Sequence, residues 1–444
     1  MRSRTSILTG IVVGGAVCLG SATTAIADDP DDAELRARRI IRAEPPWWRR
    51  ALALPERSTD LLAWPIKKTV IWAEDVNLPE RVVDVLYFND ERTAGWFPNL
   101  DLGGEIGTAA GVRLFHNDLL GGGEEVFASV LLSFQTFQRD AGLEEGQVRA
   151  GALFPEVGGG PFHLRAQVLA SKDEDEDFFV RPAADGTLLV GSETRESDQT
   201  TYASERLLGR FEVSVRPFRA TAVGLSFRPR YGEVRDGEGR EPSIPTAVEG
   251  FGGPTTLVGG GPLLRIDGRD SDVRPRRGWF LETEGGYWES IDGRATSGEE
   301  YRYARYTVEA QRIQPTFRPD RVLFFRMFLD RVERVEGAAV PFWDLPALDE
   351  DHDLRAFTRN RFRDDGALLV NVEYRWPIWD TWDAFVFFDE GQVFHEYRDI
   401  EPEAFEWSGG IGARFYSAQG FLFRVHFATG EEQQKFRIGL QQEF

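Results

Sequence analysis

The sequence holds a single cysteine, Cys18, in 444 residues. It lies within a stretch that reads as an export leader, 1–27. Arg2 and Arg4 open that leader, Ile7 to Leu19 is a short apolar run, and Ala25-Ile26-Ala27 has the small-x-small cleavage pattern. A lipid-anchored alternative centred on Cys18 fits less well, because Val17 occupies the place where a small residue is wanted. A chain processed near Asp28 has no thiol left, which excludes internal disulfides and thiolate metal sites. Positive charge is also short: 52 Lys and Arg against 73 Asp and Glu give a net charge of −21. Phosphate backbones need concentrated positive charge, so nucleic acid is excluded as a partner. After the leader no apolar run approaches the roughly twenty residues of a membrane-spanning helix. That absence says nothing against a barrel, whose strands need only about ten residues each.

Signs of catalysis are scarce as well. There is no Gly-x-Ser-x-Gly elbow and no helical histidine pair, and the five histidines, at 116, 163, 352, 395 and 426, lie in different segments. We therefore expect no catalytic residue, no metal and no cofactor, with a Ser-His-Asp site assembled in three dimensions as the one open route to an enzyme. The acidic runs Asp173-Glu174-Asp175-Glu176-Asp177 and Asp349-Glu350-Asp351 lack the glycine-punctuated spacing of a calcium loop and read as solvated loops.

Residues 28–57 are acidic, then rich in arginine and proline around Pro45-Pro46-Trp47-Trp48, and read as a flexible lead-in. Over 58–96 the apolar spacing is helical. Ser58, Thr59 or Asp60 can cap a helix carrying Leu61, Leu62, Trp64, Ile66, Val70 and Ile71, and Asn77 with Pro79 starts a second carrying Val82, Val83, Leu86 and Tyr87. Tryptophans beside Lys67 and Lys68 suit a membrane interface; two helices packed on the following domain suit the pattern equally.

From about Phe97 to Phe444 the period changes to two. In Tyr303 to Gln311 one face carries Tyr, Arg, Thr, Glu and Gln and the other Ala, Tyr, Val and Ala. Arginine and glutamate recur where a soluble sandwich would keep its core, whereas a barrel with lipid outside and a wet, charged lumen explains both faces. Sixteen candidate strands follow, near 100–107, 111–117, 125–138, 146–154, 161–172, 205–217, 220–231, 256–267, 279–289, 301–314, 321–333, 367–376, 384–394, 408–416, 420–428 and 434–444. The even count suits a closed antiparallel transmembrane barrel. Short turns such as Pro217-Phe218-Arg219 alternate with polar loops at 173–203, 232–254 and 334–366, the asymmetry expected across a bacterial outer membrane. The last strand alternates through Phe436, Ile438 and Leu440 and closes on Phe444, as a C-terminal barrel signal would. The expected fold is all-β: a sixteen-stranded transmembrane barrel over 97–444 preceded by a short helical segment.

Within the last third, Leu354-Arg355-Ala356-Phe357 resembles the Val/Ile-Arg-Gly-Phe/Tyr motif of the bacterial surface antigen barrels typified by BamA and TamA, the outer-membrane insertase and translocation superfamily. Asn371 to Pro377 resembles that family's next strand, Phe388 to Val393 the strand after it, Arg269-Asp270 with Pro275 and Gly278 an earlier turn, and Gly410-Ile411-Gly412 the penultimate hairpin. Two departures stand out. Ala356 replaces a glycine, and 28–97 shows two helices without the strands that a POTRA domain requires. The resemblance implies a long loop folded into the barrel and anchored by Arg355 on Glu373 and Asp389, near the seam between first and last strands. An arginine cannot discharge, so in a shielded lumen it needs carboxylates. Alternation points Glu373 inward; Asp389 shares a face with Phe385 and Phe387, so its inward direction rests on the resemblance. Leu100 to Gly107, with Gly103, Gly104 and Gly107, is glycine-rich as a weak first strand would be. The implied function is insertion or translocation of proteins at the outer membrane, with membrane lipids and client barrel proteins as partners and the N-terminal segment in the periplasm. The alternative is a plugged channel or structural surface barrel.

Overall fold

The structure, a computed structural model, describes residues 85–104, 107–133, 145–182, 188–189, 194–236, 248–348, 354–416 and 421–442. The leader, the lead-in, residues 58–84 of the expected helical segment, the acidic run 349–351, His352 and Phe444 lie outside them. Val85 and Leu86 are helical, and Tyr87 bridges to Gly95. Residues 94–96, expected at the end of the helical segment, instead open the first barrel strand.

That strand is β1, Ala94–Gly104, followed by β2, Gly107–Asn117; β3, Glu125–Ser133; β4, Gly146–Phe154; β5, Phe162–Phe179; and β6, Gln199–Phe218. The next stave, β7, is interrupted: Thr221–Phe227 and Arg230–Asp236 both lie between β6 and β8, Pro254–Asp267. Pro229 has no N–H to give the ladder, yet its carbonyl still accepts from Gly209 at 2.8 Å, so the sheet continues across the break. The remaining staves are β9, Gly278–Asp292; β10, Arg302–Pro315; β11, Val322–Arg334; β12, Gly366–Trp379; β13, Trp382–Phe394; β14, Glu406–Tyr416; β15, Phe421–Gly430; and β16, Gln434–Gln442. Each pairs antiparallel with its neighbour, and β1 pairs with β16, which closes the barrel at sixteen strands.

The period-two pattern acts here as a sorting rule. Val112, Leu114, Val130, Val148, Phe211, Val213, Leu225, Met327, Ile411 and Phe427 are exposed on the outer face, an apolar belt suited to lipid. Phe436 joins it, and Ile438 sits on the same face of β16. The inner face carries ion pairs instead. Arg210 and Arg265 clamp Glu212 and Glu282 across β6, β8 and β9, and Arg326 holds Glu309 across β10 and β11. Apart from the Arg210–Glu212 contact within β6, each bond ties one strand to another at a level fixed by the pleat, so the ladder and the charges agree on register.

Several strands outrun their expected bounds. The acidic run at 173–177 is not a solvated loop: β5 continues through it to Phe179, and Asp173 and Glu176 are buried. Glu176 accepts from Ser204 and Arg206, both at 2.5 Å, while Arg359 reaches Asp173 at 2.8 Å. Charges dense enough to look solvated are here neutralised by arginines distant in sequence. The connection expected at 173–203 shrinks accordingly to 180–198. Long connections still leave from one end of the barrel, including 335–365 between β11 and β12, and turns as short as 219–220 and 380–381 from the other.

Candidate functional site

The connection 335–365 turns back into the mouth of the barrel. Phe342, Trp343, Leu348, Leu354, Ala356 and Phe357 are all buried. The Phe357 N–H donates to the Leu354 carbonyl at 3.1 Å, a tight turn that carries Arg355 at its tip. Ala356 does not adopt positive φ, so the missing glycine costs nothing in backbone terms. Room for its methyl comes from the wall: a Cβ on Gly430, at the end of β15, would lie 2.9 Å from the Ala356 Cβ.

The structure brings Arg355, Glu373 and Asp389 together. Arg355 is 2% exposed; its Nε and Nη2 donate to the two oxygens of Asp389 at 2.9 and 2.7 Å, and its Nη1 to Glu373 Oε1 at 2.7 Å. Two parallel bonds to one carboxylate fix the plane of the guanidinium as well as its position. Asn371 and Ser408 each donate to Asp389 at 2.8 Å; Arg375 and Arg414 donate to Glu373 at 2.8 and 2.9 Å. The two carboxylates, on β12 and β13, therefore meet three guanidiniums and two neutral donors from the loop, β12 and β14.

Phe385 and Phe387, which obscured the direction of Asp389 in the sequence, face the same interior. The Arg355 guanidinium lies 3.7 Å above the Phe387 ring and that of Arg414 4.6 Å above Phe385. An inward aromatic in a charged lumen thus serves as a shelf for cations. Gly410 and Gly412, within β14, face these rings, and a Cβ at either would collide with Phe387 or Phe385.

Sequence reading missed two further fastenings. Asp344, buried on the same loop, accepts from Arg230 and from the Tyr303 hydroxyl, and Arg305 donates to its backbone carbonyl at 2.9 Å. Burial alone would raise the Asp344 carboxyl, but the guanidiniums of Arg230 and Arg305 outweigh it and hold the group below the ordinary aspartate range. Beyond Arg355, Arg359 and Asn360 engage Asp173 and Glu176, and Arg361 makes a two-pronged contact with Glu432 in the β15–β16 turn at 2.7 and 2.6 Å. Asn360 takes φ of 57°, a left-handed position that asparagine tolerates. The alternating arginines at 359, 361 and 363 were the available signal; the Phe-Trp-Asp triplet at 342–344 gave little, because one acid among aromatics has no distinctive spacing.

Asp364, Asp365 and His395 approach one another closely enough to hold a metal. Both Asp365 oxygens are already engaged by Arg334 at 2.7 and 2.9 Å, which makes the cluster part of the ion-paired rim. Beneath the loop, a lumenal cavity of about 880 Å³ is lined by both ends of the anchor. At the seam, among the described residues, β1 and β16 pair over Leu100–Leu102 against Ile438–Leu440, with Arg437 reaching Asp101 at 3.3 Å. Adjacent pairs such as β1–β2 and β15–β16 are zipped along nearly their whole length. The side chain of Leu440 is not among those described.

A closed sixteen-strand barrel with an inward loop anchored by arginine defines a class, and the sequence agrees. Residues 163–444 match the Omp85 superfamily domain, and the chain belongs to that superfamily of outer-membrane barrels. Among solved structures it is similar to BamA from Haemophilus ducreyi lacking POTRA domains 1–3, with TM-score 0.51, 11% identity, and coverage of 79% of this chain and 70% of that one. It is likewise similar to CdiB from Escherichia coli, with TM-score 0.53, 11% identity, and coverage of 78% of this chain and 62% of that one. No curated protein matches the chain by sequence.

Proposed function

We propose that this barrel assists insertion or translocation of proteins at the outer membrane, acting through its seam and without covalent chemistry. The observation that carries the reading is the short β1–β16 pairing, three residues deep among the described residues, while the strands on either side of it are zipped along nearly their whole length. Strand edges left unpaired are templates for an incoming strand. The long connections then face outside and the short turns and N-terminal segment face the periplasm. In this reading Arg355, Glu373 and Asp389 are positioning residues that fix the loop beside the seam, and outer-membrane lipids and client barrel proteins are the partners. The docked loop also favours a second reading, a plugged structural barrel in which the same contacts only close the mouth.

A photo-crosslinkable residue at Leu102 separates the two. Nascent barrel proteins trapped there in growing cells support the seam; adducts with lipid alone support the plug. The pair Asp101→Cys and Gly439→Cys, on residues that face each other across the seam, gives the complementary arm. Oxidation should abolish client capture and reduction restore it, and capture by the oxidised form would exclude a seam-dependent mechanism.

A further inference from the structure

The lumen holds more arginine than its ion pairs use. We propose that it is a binding site for a phosphate-bearing anion, separate from any action of the seam. The cavity of about 880 Å³ is faced by Arg113, Arg149, Arg363 and Arg424 as well as by the arginines of the anchors. A second cavity, of about 830 Å³, shares Gln167, Arg269 and Asp272 with it and adds Arg165 and Arg265. Of the carboxylates that line the first cavity, Glu309, Asp344 and Glu373 are each held by arginine and Asp272 is exposed 3.9 Å from Arg269; the second cavity adds Glu125.

Three of these arginines carry the argument. Among the described residues no carboxylate lies within ion-pair reach of Arg149, Arg165 or Arg363. Arg363, 5% exposed, donates to the Phe342 carbonyl at 2.7 Å and to the Asn360 side-chain oxygen, both neutral acceptors, and its buried Nε meets no hydrogen-bond acceptor. Arg149 and Arg113 both face Ser129 across the ladder, so two guanidiniums flank one hydroxyl on a single level of the wall. Charges of one sign within low-dielectric walls focus their field on the space between them, and the chain as a whole is acidic, so this excess is local.

Unneutralised guanidiniums in a shielded space are costly, and a bound anion removes the cost. A planar fork meets two phosphate oxygens at once, which favours phosphate over chloride. At about 30 Å³ per water, the first cavity displaces roughly thirty waters, enough for a phosphate and a small organic group. Docking of 335–365 closes the long-loop end, whereas the second cavity reaches Arg219 and Thr221 beside the shortest turns. Entry is therefore from the periplasmic end.

Calorimetric titration of the detergent-solubilised full chain with inorganic pyrophosphate tests this, against the Arg149→Gln/Arg165→Gln variant. The expected result is saturable binding that weakens about ten-fold or more in the variant, an interaction loss typical of charge-assisted bonds, with unchanged heat-modifiable gel migration. Arg149→Gln alone, at an exposed lumenal position, serves the same comparison if the double variant fails to fold. A parallel arm uses micelles doped with phosphatidic acid. Binding of pyrophosphate identifies a soluble solute, and binding of phosphatidic acid alone identifies a headgroup. Absence of both, or equal binding by wild type and variant, overturns the proposal, whatever crosslinking at the seam shows.

Discussion

Arg355 is worth more to the loop than a surface ion pair because its partners cannot be rehydrated when it is lost. Asp389, fully buried, would keep only Asn371 and Ser408, while Glu373 would still have Arg375 and Arg414. Arg355→Ala should therefore destabilise the barrel by about 3–5 kcal/mol, the usual cost of orphaning a buried charge. The measurement is the urea midpoint for loss of heat-modifiable migration. Arg355→Lys should recover little, since an ammonium cannot bridge both Asp389 oxygens in one plane. Asp344 supplies a pH-dependent counterpart. Its folded-state pKa is depressed, so its contribution is fully present above the ordinary aspartate value and is lost as pH falls through the lower folded value. Protease resistance of 335–365 should accordingly persist at pH 5 and disappear only below about pH 4, the unperturbed aspartate range; loss at pH 5 to 6 would point away from Asp344. At this scale Glu373 was readable, because Asn371, Glu373 and Arg375 alternate with Val370, Val372 and Tyr374. Asp389 was not, since a lumen that stacks guanidiniums on phenylalanine breaks the equation of aromatic with outside.

At the scale of strands, β14 shows how packing selects sequence. Gly410 and Gly412 are small because Phe385 and Phe387, on the neighbouring β13, need the space above them. Gly412→Val should cost about 1–3 kcal/mol through overpacking, seen as a lower urea midpoint, whereas Ile411→Val, on the exposed outer face, should change it by less than about 0.5 kcal/mol. The acidic end of β5 makes the converse point. A run of five acids offered no alternation to read, and its strand character depends on Arg206, Arg359 and Asn360, which lie 30, 183 and 184 residues away from Glu176 by sequence number. Glu176→Ala should leave Ser204, Arg206 and Asn360 without their shared acceptor and make 354–365 more sensitive to protease while the barrel still migrates as folded.

At the scale of the molecule, the loop 335–365 spans the mouth from the β5–β6 wall to the β15–β16 turn. Replacing 338–363 with a short Gly-Ser linker should open the lumen to the outside and raise single-channel conductance in planar bilayers well above that of the intact chain; an unchanged conductance would mean that another element closes the pore. Deletion would also remove Arg363, so residual pyrophosphate binding by that variant would reflect the Arg149 and Arg165 wall alone.

The sequence by itself determined the barrel, its strand number and the two unlike faces, because a period of two is a local property that every strand repeats against the same pair of environments. It also singled out Arg355 as a charge in need of partners. The depth of the seam pairing, the anchors at Asp344 and Arg361, and the excess of lumenal arginine were decided only by tertiary structure. Each depends on which strands and loops meet around a closed wall, and a sum of charges over distant positions has no local signature along the chain.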